Sequence, residues 1–306
     1  MNLTSKNQIQ LYGYPDQFNN LVDLFNQKKL PTKILLSGEK GIGKCTFGYH
    51  LVNYILSNKD DNAYDLKNLI INKNNKDFIT IQNNSNPNFV LIDLVIEKKM
   101  IEIAQIRALI NQLQKSSFNS KPRLILIDNI EYLNANSVNA LLKILEEPGE
   151  NIYFLLIHNN RKVLPTLLSR CLNFKLNLSN KNSIEISNKL ANDNVYFLLN
   201  KDLLDYYSTP GKIYKLIKFA EIHNIDLKKL DIKNFLFLMI DEKYYKRDNL
   251  FKTIIYEFLE LFLIKKSSIL TSEVFNYFIQ KLKFTKKFNL DEEVLFLEFK
   301  SKILNE

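Results

Sequence analysis

The stretch from Lys121 to Cys171 constrains this chain more than any other: KPRLILIDNIEYLNANSVNALLKILEEPGENIYFLLIHNNRKVLPTLLSRC. A short apolar run, Leu124 to Ile127, ends in Asp128, which reads as a buried parallel strand with a carboxylate at its C-terminal end. Asn136 is a good helix N-cap, and Val138, Leu141, Leu142 and Leu145 then recur at the i, i+3, i+4, i+7 spacing of one apolar helix face. Pro148 ends that helix, because the residue before a proline is driven out of the helical region. Ile152 to Ile157 reads as a second buried strand. Pro165 can open another helix, with Ser169, Arg170 and Cys171 at its far end.

A second constraint lies upstream. Lys33 to Ser37 is a short apolar strand, followed by Gly38-Glu39-Lys40-Gly41-Ile42-Gly43-Lys44-Cys45 and then by a helix with Phe47, Leu51 and Ile55 on one face. The pattern is that of a phosphate loop, GxxxxGK, in the strand-to-helix context it needs, with Cys45 where a serine or threonine is usual. Glycines let backbone N–H groups turn inward as an anion nest, and the helix N-terminus adds positive potential. Lys44 would reach the terminal phosphates. Read alone, the segment is also compatible with a glycine-rich turn that holds no ligand.

With 306 residues the chain is long enough for two or three domains. No apolar run has the length of a membrane span, and the first ten residues, MNLTSKNQIQ, lack the apolar core of a signal peptide, so a cytoplasmic protein with no membrane partner is expected. The two cysteines, Cys45 and Cys171, each sit inside a motif; a structural disulfide is not expected and a four-cysteine zinc site cannot be built from this chain alone. The formal charge of +9 permits contact with nucleic acid, but lysine is spread through the chain and no run of five basic residues occurs.

Elsewhere Gly13 and Pro15 mark a turn before a helix carrying Phe18, Leu21, Val22 and Phe25. Residues 58–88 are polar and asparagine-rich and read as a loop-rich insertion with a short helix near Asp65 to Ile71. Phe89 to Ile92 reads as a strand, Lys98 and Lys99 as a turn, and Ile106, Leu109, Ile110 and Leu113 as one face of a helix opened by Ile103 to Arg107. Beyond residue 179, Ile184, Ile186, Leu190, Phe197, Leu198, Leu203 and Leu204 supply the apolar positions of a small helical region; Thr209-Pro210-Gly211-Lys212 opens a helix with Ile213, Leu216, Ile217 and Ala220. Residues 225–306 are helical by pattern and rich in phenylalanine and leucine, which fits either an oligomerisation surface or an ordinary helical core. His50 and His223 are isolated, with no metal-like partners nearby in sequence, and His158 reads as a structural strand-end residue.

LILIDN, NALLKILEEP and LLSRC, in that order and spacing, resemble the clamp-loader ATPases of the AAA+ family, as do the phosphate loop and the IxxIR helix opening. The likeness spans about residues 9–215. It implies an α/β P-loop AAA+ domain, a parallel sheet flanked by helices, over residues 1–178; a small helical lid domain over 179–224; and a C-terminal all-α oligomerisation (collar) domain over 225–306. It also implies a nucleotide site built from Gly38, Gly41, Gly43, Lys44, Cys45, Thr46, Asp128 and Asn129, and a finger, Arg170, that enters a neighbouring subunit's site. Cys171 would pack beside that finger as a small core group.

Several residues depart from the active pattern. A Cys45 thiol is a poor ligand for Mg²⁺, which prefers hard oxygen, and Thr46 lies about 100° further round the helix. Asn129 stands where active members carry the glutamate that orients the attacking water. Gly211 falls where they place an arginine, with Lys212 beside it and directed elsewhere; His158-Asn159-Asn160 replaces the usual strand-end threonine. A dead self-site with a kept finger resembles the delta-prime subunits of the bacterial DNA polymerase III loader. The implied partners are the gamma/tau ATPase subunits, the delta subunit, the sliding clamp and, through the complex, primed DNA. No cofactor is then required and no zinc is expected, while the surviving glycines and Lys44 leave weak ATP or ADP binding open. Two other functions stay open on the sequence: an active motor ATPase of the same loader, and a stand-alone nucleic-acid-binding module.

Overall fold

The computed structural model describes residues 4–58, 60–95, 98, 100–114, 119–159, 165–204, 208–247, 249–288 and 290–305. Lys99 and Asn160, both singled out above, lie outside them. The chain divides into two compact units: Met1–Leu190 with Thr209–Ile213, and Ala191–Ser208 with Tyr214–Glu306.

The first unit is a five-stranded parallel sheet packed between helices. Helix α1 (Pro15–Asn26) precedes strand β1 (Lys33–Ser37), which leads through the phosphate loop into α2 (Lys44–Ser57). Helix α3 (Lys76–Gln82), β2 (Phe89–Ile92), α4 (Ile103–Leu113), β3 (Arg123–Ile127), α5 (Ala135–Glu146), β4 (Ile152–His158), the short α6 (Pro165–Leu168), β5 (Leu172–Lys175) and α7 (Asn180–Ala191) follow. The spatial order is β2-β3-β4-β1-β5, with every pairing parallel. Strands β1, β3 and β4 are apolar on both faces because helices cover both, as parallel sheets require. One core gathers Phe18, Phe47, Leu51, Leu124 and Leu126 on one face; the other gathers Ile106, Ile125, Leu141, Leu145 and Phe154 on the opposite face. Alternation along β3 sends Leu124 and Leu126 to the first core and Ile125 and Ile127 to the second.

Four expectations change. Helix α5 is capped by Asn134, whose side chain accepts from the Ser137 N–H, and not by Asn136, which lies inside the first turn. No helix forms at Asp65 to Ile71: Asp65 accepts from the Asn68 N–H, and Asp65 and Ile70 exchange two backbone hydrogen bonds, closing a turn. The helix of that insertion is α3, capped by Asn75 through the Asp77 and Phe78 N–H groups. Helix α6 stops at Leu168, so Ser169 and Arg170 lie in a turn, and Leu172–Lys175 adds an edge strand beside β1. Phe197, one of the apolar positions of the helical region after residue 179, is 69% exposed and so adds nothing to a core.

The second unit is helical among its described residues. It contains α8 (Val195–Leu198), all but the first four residues of α9 (Pro210–His223), α10 (Ile232–Asp241), α11 (Tyr244–Arg247), α12 (Asn249–Lys266), α13 (Ser272–Phe288) and α14 (Glu292–Phe299). Its core is aromatic: Phe219 meets Tyr244 edge-on at 5.0 Å between centroids, and Phe278 meets Phe299 at 5.1 Å. Among the described residues no helix is long and apolar enough to cross a membrane.

Candidate functional site

In a parallel sheet all strands end on the same edge, and loops at those carboxyl ends form the crevice where ligands bind. Here the edge brings together the loop after β1 (Gly38 to Gly43), Asp93 after β2, Asp128 and Asn129 after β3, and Asn159 after β4. The sequence-read residues Gly38, Gly41, Gly43, Lys44, Cys45, Asp128 and Asn129 therefore converge, and Thr46 follows them on the first turn of α2. Arg170 belongs to a different place, the turn after α6.

The loop is closed on itself. Lys44 is 3% exposed, and its Nζ donates to the Gly38 carbonyl at 2.9 Å and the Glu39 carbonyl at 2.6 Å. Burial lowers its pKa to about 8, against the opposing pull of Asp128, Glu131 and Glu39. Tyr14, at the N-cap of α1, donates its hydroxyl to the Ile42 carbonyl at 3.1 Å, which ties the segment before α1 to the loop. From the other side the start of α9 packs onto the loop: Thr209 Oγ1 donates to the Lys40 carbonyl at 3.0 Å, and the Gly211 N–H to the Gly41 carbonyl at 2.9 Å. Both glycines are required at this approach. A Cβ on Gly211 would lie 2.9 Å from Gly41 Cα, and one on Gly41, itself at φ +92°, 2.4 Å from Thr209 Oγ1. Lys212, expected to face elsewhere, pairs with Glu39 of the loop at 3.3 Å, because the first turn of α9 lies directly against it.

Cys45 and Asp128 are close enough for each to perturb the other's protonation. Burial, and then Asp128, hold the Cys45 thiol well above its usual range, so it stays neutral. Burial, and then the neighbouring charge of Asp93, push the Asp128 carboxyl up to about 6. Asn129 takes a left-handed backbone (φ +57°) and is bound at both ends of its amide: Nδ2 donates to Asp93 Oδ1 at 2.7 Å, and Oδ1 accepts from Asn159 Nδ2 at 2.9 Å. Asn159 Nδ2 also donates to Glu131 Oε1 at 2.9 Å.

Asp93 and Glu131 were missed by sequence reasoning. Asp93 carried a usable signal, since VLID repeats the apolar-run-then-carboxylate pattern of LILID. Glu131 carried none: its position depends on the left-handed turn at Asn129 and the 3₁₀ turn Ile130–Tyr132 that follows it.

Arg170 is about one-third exposed. Its Nη1 donates to the Thr166 carbonyl at 3.0 Å and its Nη2 to Glu146 Oε1 at 2.8 Å. Cys171 packs against the second core, and burial raises its thiol to about 11. His50 is buried, with Nε2 3.0 Å from the Gln8 carbonyl and Nδ1 2.8 Å from the Tyr64 hydroxyl. His223 packs among Phe219, Tyr244 and Phe251 in tilted and edge-on contacts.

Sheet order, phosphate loop and strand-end carboxylates define a P-loop domain of the AAA+ class. The comparisons place it further. A family model described as "DNA polymerase III, delta subunit" matches residues 13–180, more than half of the chain, and the chain belongs to that clamp-loader family. It is 30% identical over 187 residues to DNA polymerase III subunit delta' of Buchnera aphidicola subsp. Schizaphis graminum, covering 58% of this chain and 53% of that protein. It is also 30% identical over 161 residues to the same organism's DNA polymerase III subunit gamma, covering 52% of this chain and 42% of that protein. The chain thus spans about half the length of the curated relatives it matches. Among solved structures, a DNA polymerase III gamma subunit-related protein from Thermotoga maritima shares the fold, with a TM-score of 0.54 at 15% identity over 94% of this chain and 98% of that one.

Proposed function

We propose that this chain acts as a delta-prime subunit of a bacterial clamp loader: it does not hydrolyse ATP, and it lends Arg170 to the site of a neighbouring gamma/tau-type ATPase. The observation that carries this reading is Asn129. An amide cannot take a proton from water, and this one already has Asp93 on its nitrogen and Asn159 on its oxygen. Cys45 supports the same conclusion. Beside the Asp128 carboxyl it puts a buried, neutral thiol where a hydroxyl would help hold Mg²⁺, and a thiol is a poor ligand for that hard ion. Lys44 is held by its own loop carbonyls, so a nucleotide would have to displace those bonds, and weak ATP or ADP binding at most is expected.

In this reading the chain works in the cytoplasm, beside ATPase subunits, a clamp-opening delta subunit and the sliding clamp, and meets primed DNA through the complex. The three-part division into AAA+ domain (1–178), lid (179–224) and collar (225–306) goes with it. Arg170 lies on the surface, as a finger acting in trans requires. Its planar fork suits a developing phosphoryl charge, and such a finger is worth about 10³ to 10⁵ in rate in well-studied GTPases.

Glu131 favours the rival reading, an active motor subunit: it is a carboxylate on Asn159 and within electrostatic reach of Lys44. Two measurements separate the readings. Turnover of Mg-ATP by the purified chain should stay at background; clear turnover that Glu131→Gln abolishes would establish the motor reading. In a loader reconstituted with its ATPase partner, Arg170→Ala should lower ATP turnover by an order of magnitude or more with assembly intact. Unchanged turnover would reduce the chain to a scaffold.

A further inference from the structure

The surroundings of Arg170 give the proposed finger a partner of its own. The residue sits outside regular structure, in the turn between α6, a helix of only four residues, and strand β5. Two anchors compensate. Behind it, Cys171 packs against the second core of the sheet. In front, the guanidinium is bound twice, by the Thr166 carbonyl one turn back and by Glu146. Glu146 is the last residue of α5, and the end of that helix is fastened in turn: Lys33 Nζ, on the first residue of β1, donates to the Leu145 carbonyl at 2.9 Å. A path of direct contacts therefore runs from the sheet through the end of α5 to the guanidinium.

This arrangement is ill suited to stabilising the fold. The side chains of Arg170 and Glu146 are 35% and 54% exposed, and exposed ion pairs contribute little to folding. It is well suited to holding a long side chain in one orientation. Arginine loses much rotamer freedom when it docks, and a guanidinium already bound at two nitrogens has lost part of it beforehand. Of its five N–H donors the two contacts use two, so three remain for the oxygens of a phosphoryl group.

We infer that Glu146 is the positioning residue for Arg170, presetting the guanidinium that a neighbouring subunit's nucleotide receives. This rests on the finger reading above, and its test keeps the two apart. The loader is reconstituted from full-length chain, its ATPase partner and its delta-type partner, and ATP turnover is followed against ATP concentration. Glu146→Ala should lower kcat about 3- to 10-fold with KM for ATP unchanged, as expected for a group that acts only as the transition state forms. Glu146→Gln, which keeps an acceptor of the same reach, should retain more than half of wild-type kcat. In an Arg170→Ala background Glu146→Ala should cause no further loss, because its effect runs through the arginine. Wild-type or raised kcat for Glu146→Ala would overturn the inference, and so would an equal further loss in the Arg170→Ala background. If Arg170→Ala itself left turnover unchanged, the finger reading would fail first. A loss with Arg170→Ala and none with Glu146→Ala would leave the finger and remove only its positioning residue.

Discussion

Asn129 shows how a single side chain can fix the character of a site. Its amide donates to Asp93 and accepts from Asn159, so both ends are matched to their partners. A carboxylate at this position does not simply restore the active pattern, because one oxygen would replace the nitrogen that faces Asp93. Asn129→Asp should therefore destabilise the protein by about 1–3 kcal/mol at pH 8, through like-charge contact and a lost hydrogen bond. Repulsion raises the folded pKa of one carboxyl of such a pair above its unfolded value. The loss is then complete at high pH and recedes as the pH falls through that folded pKa; melting wild type and variant at pH 8 and pH 5 would measure it. His50 gives a penalty of the opposite sign. Its Nε2–H donates to the Gln8 carbonyl and its Nδ1 accepts from Tyr64, so the folded state holds the neutral ring, and burial lowers its pKa from 6.5 to about 4. A depressed histidine means that the unfolded chain binds the extra proton between those values. Stability should fall by roughly 2 kcal/mol from pH 8 to pH 5 on this account alone. His50→Gln should remove that share of the pH dependence, read from denaturant curves at the two pH values, and an unchanged slope would exclude the assignment.

At the scale of elements, legibility followed periodicity. Strands β1, β3 and β4 are apolar runs with a turn or a carboxylate at the end, and α2, α4 and α5 carry clear helical faces, so their existence and order could be read directly. Capping was harder, because the asparagines that cap are numerous here and only one of each cluster is used. Asn134 and Asn136 are chemically identical, and extended backbone at Asn134 decides between them. Asn134→Ala should cost about 1 kcal/mol and Asn136→Ala only a few tenths, measured as shifts in denaturation midpoint. Equal effects would contradict the cap. The short helix of the loop-rich insertion at 58–88 was misplaced for the same reason: asparagine and aspartate side chains at Asn62, Asp65, Asn72 and Asn75 bind nearby backbone and one another, and this local competition leaves no periodic pattern. Strand β5 was missed because LNFK is short and carries exposed residues, an edge strand defined by its pairing with β1 and not by its composition. The site divides along similar lines. Its loop and the Asp128–Asn129 pair belong to contiguous motifs and were legible, while Glu131, Lys212 and the Arg170–Glu146 pair exist only through turns and long-range packing.

At the scale of the molecule, the proposed action of Arg170 on another subunit needs something that holds the two subunits together. The helical unit offers a surface of the right kind. On α13, Tyr277, Phe284 and Phe288 stand at i, i+7 and i+11, one face of the helix, and are 44%, 50% and 57% exposed. Val294 and Leu297 of α14 are exposed as well, at 56% and 50%. Large apolar side chains gathered on one element mark contact surfaces more often than scattered single ones do. The adjoining face of α13 is different: Phe278 and Leu282 are buried, and the first of these packs against Phe299. The core of the unit is thus complete without the exposed face. Phe284→Glu with Phe288→Glu should leave the melting temperature of the isolated chain within a few degrees of wild type, since surface substitutions cost little. The same pair should weaken co-purification with the ATPase partner at least about tenfold, because each glutamate would have to be desolvated in the contact. If the proposed finger acts in trans, turnover of the partner should then fall as expected for Arg170→Ala, but recover when the variant is supplied in excess, which a missing arginine cannot do. Full assembly by the variant would show that the subunits meet elsewhere, and a collapse of its melting temperature would show that this face belongs to the fold.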